Sequence, residues 1–199
     1  MTTIRRLAEA SDKIFLTFDD GPCPVGTAAV LDVLAAHDAK ATFFLIANRL
    51  QGNRELVDRM LSEGHAIGDH SFDHRYARLF RRDLDPWLEA SSVEFRRHGL
   101  QPVGFRPPAG ILTPPLRHAL LARREPIIMW NERFFDAVLP WTKTRAARSA
   151  RRLKGGDIVL LHDRQSSTRV PAFTRVLAHY IESLQKRGFA LAALGTRAP

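Results

Sequence analysis

From Lys13 onward, short apolar runs rich in β-branched and aromatic residues alternate with longer stretches of helical period, and few folds accommodate that alternation. A strand that is apolar along its whole length is buried on both faces, so it calls for a parallel sheet with helices packed outside it. Strands are expected near Lys13–Phe18, Ala41–Ile46, His65–Asp69, Val103–Phe105, Pro126–Trp130, Asp157–Leu161 and Phe189–Leu194. Asp85 before Pro86 and Thr113 before Pro114 each place a capping side chain ahead of a proline, which marks a helix start. The clearest helix carries Phe173, Val176, Leu177, Tyr180, Ile181 and Leu184 on one stripe, and Gly188 stands ready to end it. Thr144 to Lys154 reads as a helix whose basic side faces water. The class is therefore α/β, and seven βα units suit either a closed or partly closed barrel or an open doubly wound sheet. The 199 residues are enough for a single domain with one well-filled core. No Gly-rich phosphate turn follows any strand, so a nucleotide-binding reading has no support.

The chemistry-bearing residues fall at the ends of these strands. Asp19 and Asp20 precede Gly21-Pro22 where the first strand turns. Side chains alternate along an extended chain, so the two carboxylates need not share a target: one can bind metal while the other handles a proton. A helix cap or turn built from aspartates is the alternative. His70 and His74 follow the third strand, and on one helical turn that spacing brings both rings to one face, as a metal requires. Two imidazoles and a carboxylate make the three-ligand, open-position set of a catalytic metal. Arg106, after the fourth strand, opens the stiff run Pro107-Pro108-Ala109-Gly110, where it can lock a carboxylate or serve structure alone. His162 leaves the apolar strand Ile158-Val159-Leu160-Leu161 as a candidate proton carrier. Together with Trp130, these residues lie at the C-terminal strand ends, the face on which parallel α/β proteins carry their sites. His37, His65, His98, His118 and His179 fall elsewhere and receive no role, and Cys23 reads as a small packed side chain.

Taken in order, TFDDGP, HSFDH, RPPAG, WNERFFDA and LLHD resemble the motifs of the polysaccharide deacetylase family, carbohydrate esterase family 4, over about Lys13 to Leu194. The resemblance implies a distorted (β/α)7 barrel and a divalent metal, zinc or else cobalt, on Asp20, His70 and His74. It further implies Asp19 as general base, oriented by Arg106, and His162 as general acid, with Asp136 as the carboxylate partnering that histidine. Ala109, through its backbone N–H, together with Pro108, Trp130, Leu160 and Trp141, would contact substrate. Two departures bear on the pocket: Ala109 replaces an aromatic whose backbone alone is used, and Ala137 stands where an aromatic usually follows the aspartate, a gap that Phe135 or Trp141 would fill. Asp69, before His70, stands where relatives often have Asn and would strengthen an imidazole if it touched one. The implied reaction is metal-assisted removal of N-acetyl groups from a chitooligosaccharide, peptidoglycan or exopolysaccharide. An O-acetyl esterase, a small-amide hydrolase and a catalytically silent glycan-binding protein are the alternatives.

Charge bears on partners. Thirty Lys and Arg against twenty-one Asp and Glu give a formal +9, which attracts anionic polymers of any kind; nucleic acid has no support beyond that charge. A single cysteine rules out an internal disulfide. Neither a signal-peptide core nor a long uncharged apolar run is visible, so the expectation is no membrane insertion and a cytoplasmic protein, or an exported one if a leader has been trimmed.

Overall fold

The computed structural model describes residues 3–195. In chain order the strands are β1 (Thr3–Ile4), β2 (Lys13–Gly21), β3 (Ala41–Leu45), β4 (Ala66–Asp69), β5 (Ile127–Ile128), β6 (Glu132–Arg133), β7 (Ile158–His162) and β8 (Ala190–Leu191). The helices are α1 (Gly26–Ala36), α2 (Arg54–Ser62), α3 (Asp85–Arg97), α4 (Pro114–Ala122), α5 (Lys143–Arg152) and α6 (Val170–Gln185). All the strand ladders are parallel, in the order β4-β3-β2-β7-β6. Phe105 bridges Asp69 of β4 on one side and Ile127 of β5 on the other, and the segment running from β5 into β6 then meets β7. The sheet thus closes on itself as a distorted barrel.

Alternation along β2 sorts its side chains between two environments. Leu16 and Phe18 point outward into a core shared with Val30, Leu31 and Leu34 of α1 and Phe173, Leu177 and Tyr180 of α6. Phe15 joins Phe44, Ile128 and Ile158 in a second, smaller cluster. Burial of polar atoms is matched by partners: the buried Thr17 hydroxyl donates to the Val159 carbonyl at 2.7 Å, and the Thr42 hydroxyl accepts from the Leu194 amide at 2.8 Å.

The structure departs from the expected strands in instructive places. Val103–Phe105 forms only isolated bridges through Phe105, and Gly104, at φ 157°, lies so close to the Pro126 carbonyl that a Cβ there would sit 2.6 Å from it. Of the expected Pro126–Trp130 only Ile127–Ile128 forms a strand, β5, and β6 follows beyond it at Glu132–Arg133; between them the Asn131 side chain turns to β7, where it accepts from the Ile158 amide at 2.8 Å. The expected strand Phe189–Leu194 shrinks to β8, which pairs only with Lys13 and Ile14 at the start of β2. The short β1, pairing with β5, had no periodic signal long enough to be seen. Thr113 caps α4, its hydroxyl accepting from the Leu116 amide at 3.4 Å, whereas Asp85 lies inside α3 and makes no cap. α6 buries the whole predicted stripe, and α5 buries Ala146, Ser149 and Ala150 while Lys143, Arg148, Arg151 and Arg152 face water.

Candidate metal centre and active-site cleft

Asp19 is the register partner of His162 across the β2–β7 ladder, so both reach the same rim of the barrel. Asp19 is 3% exposed and Arg106 is fully buried beside it. The Arg106 guanidinium donates to Asp19 Oδ1 and to the Thr17 hydroxyl at 2.7 Å each, and to the Ile128 and Met129 carbonyls at 3.2 Å each. Its cationic carbon lies 3.8 Å from the Phe44 ring centroid. Burial lowers the Arg106 pKa, with the Asp19 charge opposing that shift. One carboxylate oxygen of Asp19 is therefore held, and Oδ2 faces the cleft, 3.7 Å from His70 Nε2.

Strict alternation would turn Asp20 outward, away from Asp19. Instead a bulge interrupts the β2–β3 register between Asp19 and Gly21, with Asp20 at φ 76°. Its carboxylate swings to the same side, and Oδ1 lies 3.6 Å from His70 Nε2 and 3.2 Å from His74 Nε2. Alternation alone does not contain this bulge, which brings the two carboxylates to one cleft while leaving them different partners. The histidine spacing also works differently from a helical turn: residues 70–74 are an irregular loop in which Ser71 and His74 take φ 76° and 56°. Asp69 fixes that loop, its Oδ1 accepting from the Ser71 amide at 2.7 Å and the Ser91 hydroxyl at 2.8 Å. Burial raises the Asp69 pKa to about 8, and its hydrogen bonds run to the loop rather than to an imidazole. The His70 Nδ1 partner is instead the Arg106 carbonyl, at 2.8 Å.

That carbonyl places the proton of His70 on Nδ1 and leaves the Nε2 lone pair facing Asp20. Burial, then the neighbouring His70, lowers the His74 pKa, which favours the neutral ring that binds metals. Asp20 Oδ1 is buried with no hydrogen-bond partner among the described residues, and one ligand atom from each of Asp20, His70 and His74 lies within 4.8 Å of the others. Lone pairs crowded together in this way fit a divalent cation with nitrogen and oxygen ligands.

Across the cleft, Asp136 is 1% exposed and cradles His162: Oδ2 accepts from the His162 amide at 2.8 Å and Oδ1 lies 3.1 Å from Nδ1. Burial opposes protonation of His162, but the Asp136 hydrogen bond and charge, with Asp19 and Asp20 beyond, outweigh it and raise the pKa to about 9. The cleft between these groups measures about 250 Å³. Ala109, Trp130 and Leu160 line it, whereas two of the expected contacts do not. Pro108 is buried behind Ala109 and stays out of the lining. Trp141 is 6% exposed in the core, packed on Phe134, Phe173 and Tyr180, so Phe135, beside Ala137 and Val138, occupies the wall instead. Cys23 is half-buried, outside the cleft lining and apart from the candidate ligands.

Tyr76 and Arg133 also line the cleft; Arg133 stands within WNERFFDA but received no role there, and Tyr76 belongs to none of the motifs. Asp163, the last residue of LLHD, is fully buried; it accepts from the Thr27 hydroxyl at 2.5 Å and presses on Gly21, where a Cβ would sit 2.4 Å from its Oδ2.

Residues 7–122 match the family model described as polysaccharide deacetylase. The chain is 35% identical to a peptidoglycan-N-acetylglucosamine deacetylase of Bacillus cereus over 184 residues, covering 88% of this chain and 83% of that one. It is 31% identical to a chitooligosaccharide deacetylase of a Bradyrhizobium species, covering 88% of this chain and 86% of that one. In fold it is similar to a family 4 carbohydrate esterase pseudoenzyme of Bacillus anthracis, with a TM-score of 0.83, 22% identity, and coverage of 97% of this chain and 67% of that one. The last likeness concerns the fold alone, so any activity has to be argued from the side chains. On the family match and the two sequence relatives, the chain belongs to the polysaccharide deacetylase family.

Proposed function

We propose that this chain hydrolyses the acetamide of an N-acetylated glycan, of the peptidoglycan or chitooligosaccharide kind, with zinc, or else cobalt, held by Asp20, His70 and His74. The observation that carries the reading is the placement of a held carboxylate and a charge-paired imidazole, Asp19 and His162, at one register position on the rim that also carries the candidate ligands. When bound, the cation supplies a Lewis acid that polarises an oxygen and acidifies water.

The chain's own residues supply the rest. Asp19, with Oδ1 fixed by Arg106, accepts a proton at Oδ2 as water adds to the acetamide carbonyl. The Ala109 amide, on a turn with φ 54°, donates to none of the described residues and is free to hold the developing oxyanion. His162, protonated at neutral pH by virtue of Asp136, gives its proton to the sugar nitrogen as the C–N bond breaks and acetate leaves. A purely glycan-binding role would leave the Arg106–Asp19 pair and the Asp136–His162 pair without use at the same rim.

The test is acetate release by metal-stripped protein restored with zinc or cobalt, against chitooligosaccharides, peptidoglycan and acetylxylan. Metal-dependent release from an N-acetylated glycan, reduced about 10³-fold in Asp19→Asn at unchanged metal content, is expected. Release from acetylxylan alone would make the chain an O-acetyl esterase, and no release at all would make it a silent binder.

A further inference from the structure

Arg133 stands on the wall of the cleft and takes no part in the chemistry above. It pairs with Leu160 across the β6–β7 ladder, and both side chains line the cleft. Beyond it the chain alternates: Phe134 is buried in the aromatic core, Phe135 returns to the cleft, and Asp136 turns in to His162. Arg133 is thus tied to the segment that carries the partner of the candidate acid.

Its guanidinium lies over the Phe135 ring, 4.1 Å from the centroid. Stacking orients the planar cation and leaves its edge, with the N–H donors, pointing past the ring. Among the described residues no carboxylate pairs with Arg133 and no acceptor takes its hydrogen bonds, in contrast to Arg78, which pairs with Asp73, and Arg106, which pairs with Asp19. Exposed side chains of Phe135, Val138 and Tyr76 line the same cleft and suit the faces of sugar rings. The carboxylates within the cleft, Asp19 and Asp20, are occupied by Arg106 and by the candidate ligand cluster.

We infer that Arg133 selects an N-acetylated glycan carrying a carboxylate on the acetylated sugar or its neighbour, by a two-pronged pair from its free guanidinium edge. A neutral glycan would meet the same side chains but leave this cation without a counter-charge. The inference rests on the proposed deacetylase reading for the site it serves, and adds the charge of the substrate. A carboxylate meets the guanidinium fork with two coplanar oxygens on two parallel N–H donors.

The experiment compares an N-acetylglucosaminyl–N-acetylmuramic acid oligomer with a chitooligosaccharide of equal length, for wild type, Arg133→Gln and Arg133→Lys. Acetate release gives kcat/KM, and calorimetric binding to the Asp19→Asn protein gives affinity without turnover. The wild type is expected to favour the carboxylate-bearing oligomer about tenfold, equivalent to about 1.4 kcal/mol, a preference that fades with added salt. Arg133→Gln abolishes the preference in both measurements, and Arg133→Lys keeps only part of it. Equal kcat/KM and equal affinity for the two oligomers in the wild type, or a preference that survives Arg133→Gln, overturns the inference while leaving the deacetylase reading intact. Preferential binding lost in Arg133→Gln, with no acetate released by the wild type, supports the inference and overturns the deacetylase reading.

Discussion

The His162 imidazole shows how one buried neighbour sets a side chain's chemistry. Asp136 lifts its pKa from 6.5 to about 9 against the opposing effect of burial, so the ring stays protonated through neutral pH. The sign follows from linkage: a folded-state pKa above the unfolded one adds stability that is complete below about pH 6.5 and is lost as pH rises through about 9. Acetate release should accordingly fall on the alkaline side as His162 loses its proton. In Asp136→Asn that alkaline limb is expected to move to lower pH and the stability at pH 7 to drop, which a pH–rate profile and thermal melts across the same range will show; an unmoved limb would remove His162 as the acid. At this scale sequence patterning grouped Asp19, Asp20, His70, His74 and His162 as a set, since each lies at or just beyond the C-terminal end of a strand. It gave no role to Arg133, although WNERFFDA contains it, or to Tyr76, because their presence in the cleft depends on where β6 and the 76–80 turn lie.

Among the elements, α6 was the most legible, because six apolar residues at helical spacing leave no alternative face to bury. Leu177, at 0% exposure, packs in the core shared by α1 and β2. Leu177→Ala is expected to cost about 2–5 kcal/mol, read as a lower urea midpoint at unchanged slope. The short elements were less legible for a physical reason. β1, β5, β6 and β8 each have only 2 residues, too few for a period, and owe their pairing to neighbours brought in by the rest of the chain. Asp85 and Thr113 carry similar local signals, yet only Thr113 caps its helix. The bulge at Asp20 belongs to the same group: nothing in Asp-Asp-Gly-Pro demands it, but without it the second carboxylate would face α1 rather than the cleft.

For the whole molecule, Arg106 joins separate parts of the barrel, reaching from its own turn to Thr17 and Asp19 on β2 and to the carbonyls of Ile128 and Met129 beside β5. Arg106→Met keeps comparable bulk but leaves the Asp19 carboxylate buried without its counter-charge. A loss of about 3–5 kcal/mol is expected by chemical denaturation. A variant of wild-type stability would mean that Asp19 is satisfied by other groups. Local patterning was enough to specify the class of fold, the parallel alternation of strand and helix, and the face that carries the candidate ligands, because these follow from apolar periodicity and from which residues lie at each strand end. Three outcomes came from packing instead: Asp20 turns inward, Trp141 fills the core while Phe135 lines the cleft, and Arg133 stands beside it without a carboxylate partner among the described residues. Those outcomes depend on register, bulges and competition for buried space between segments far apart in the chain, none of which a local pattern contains.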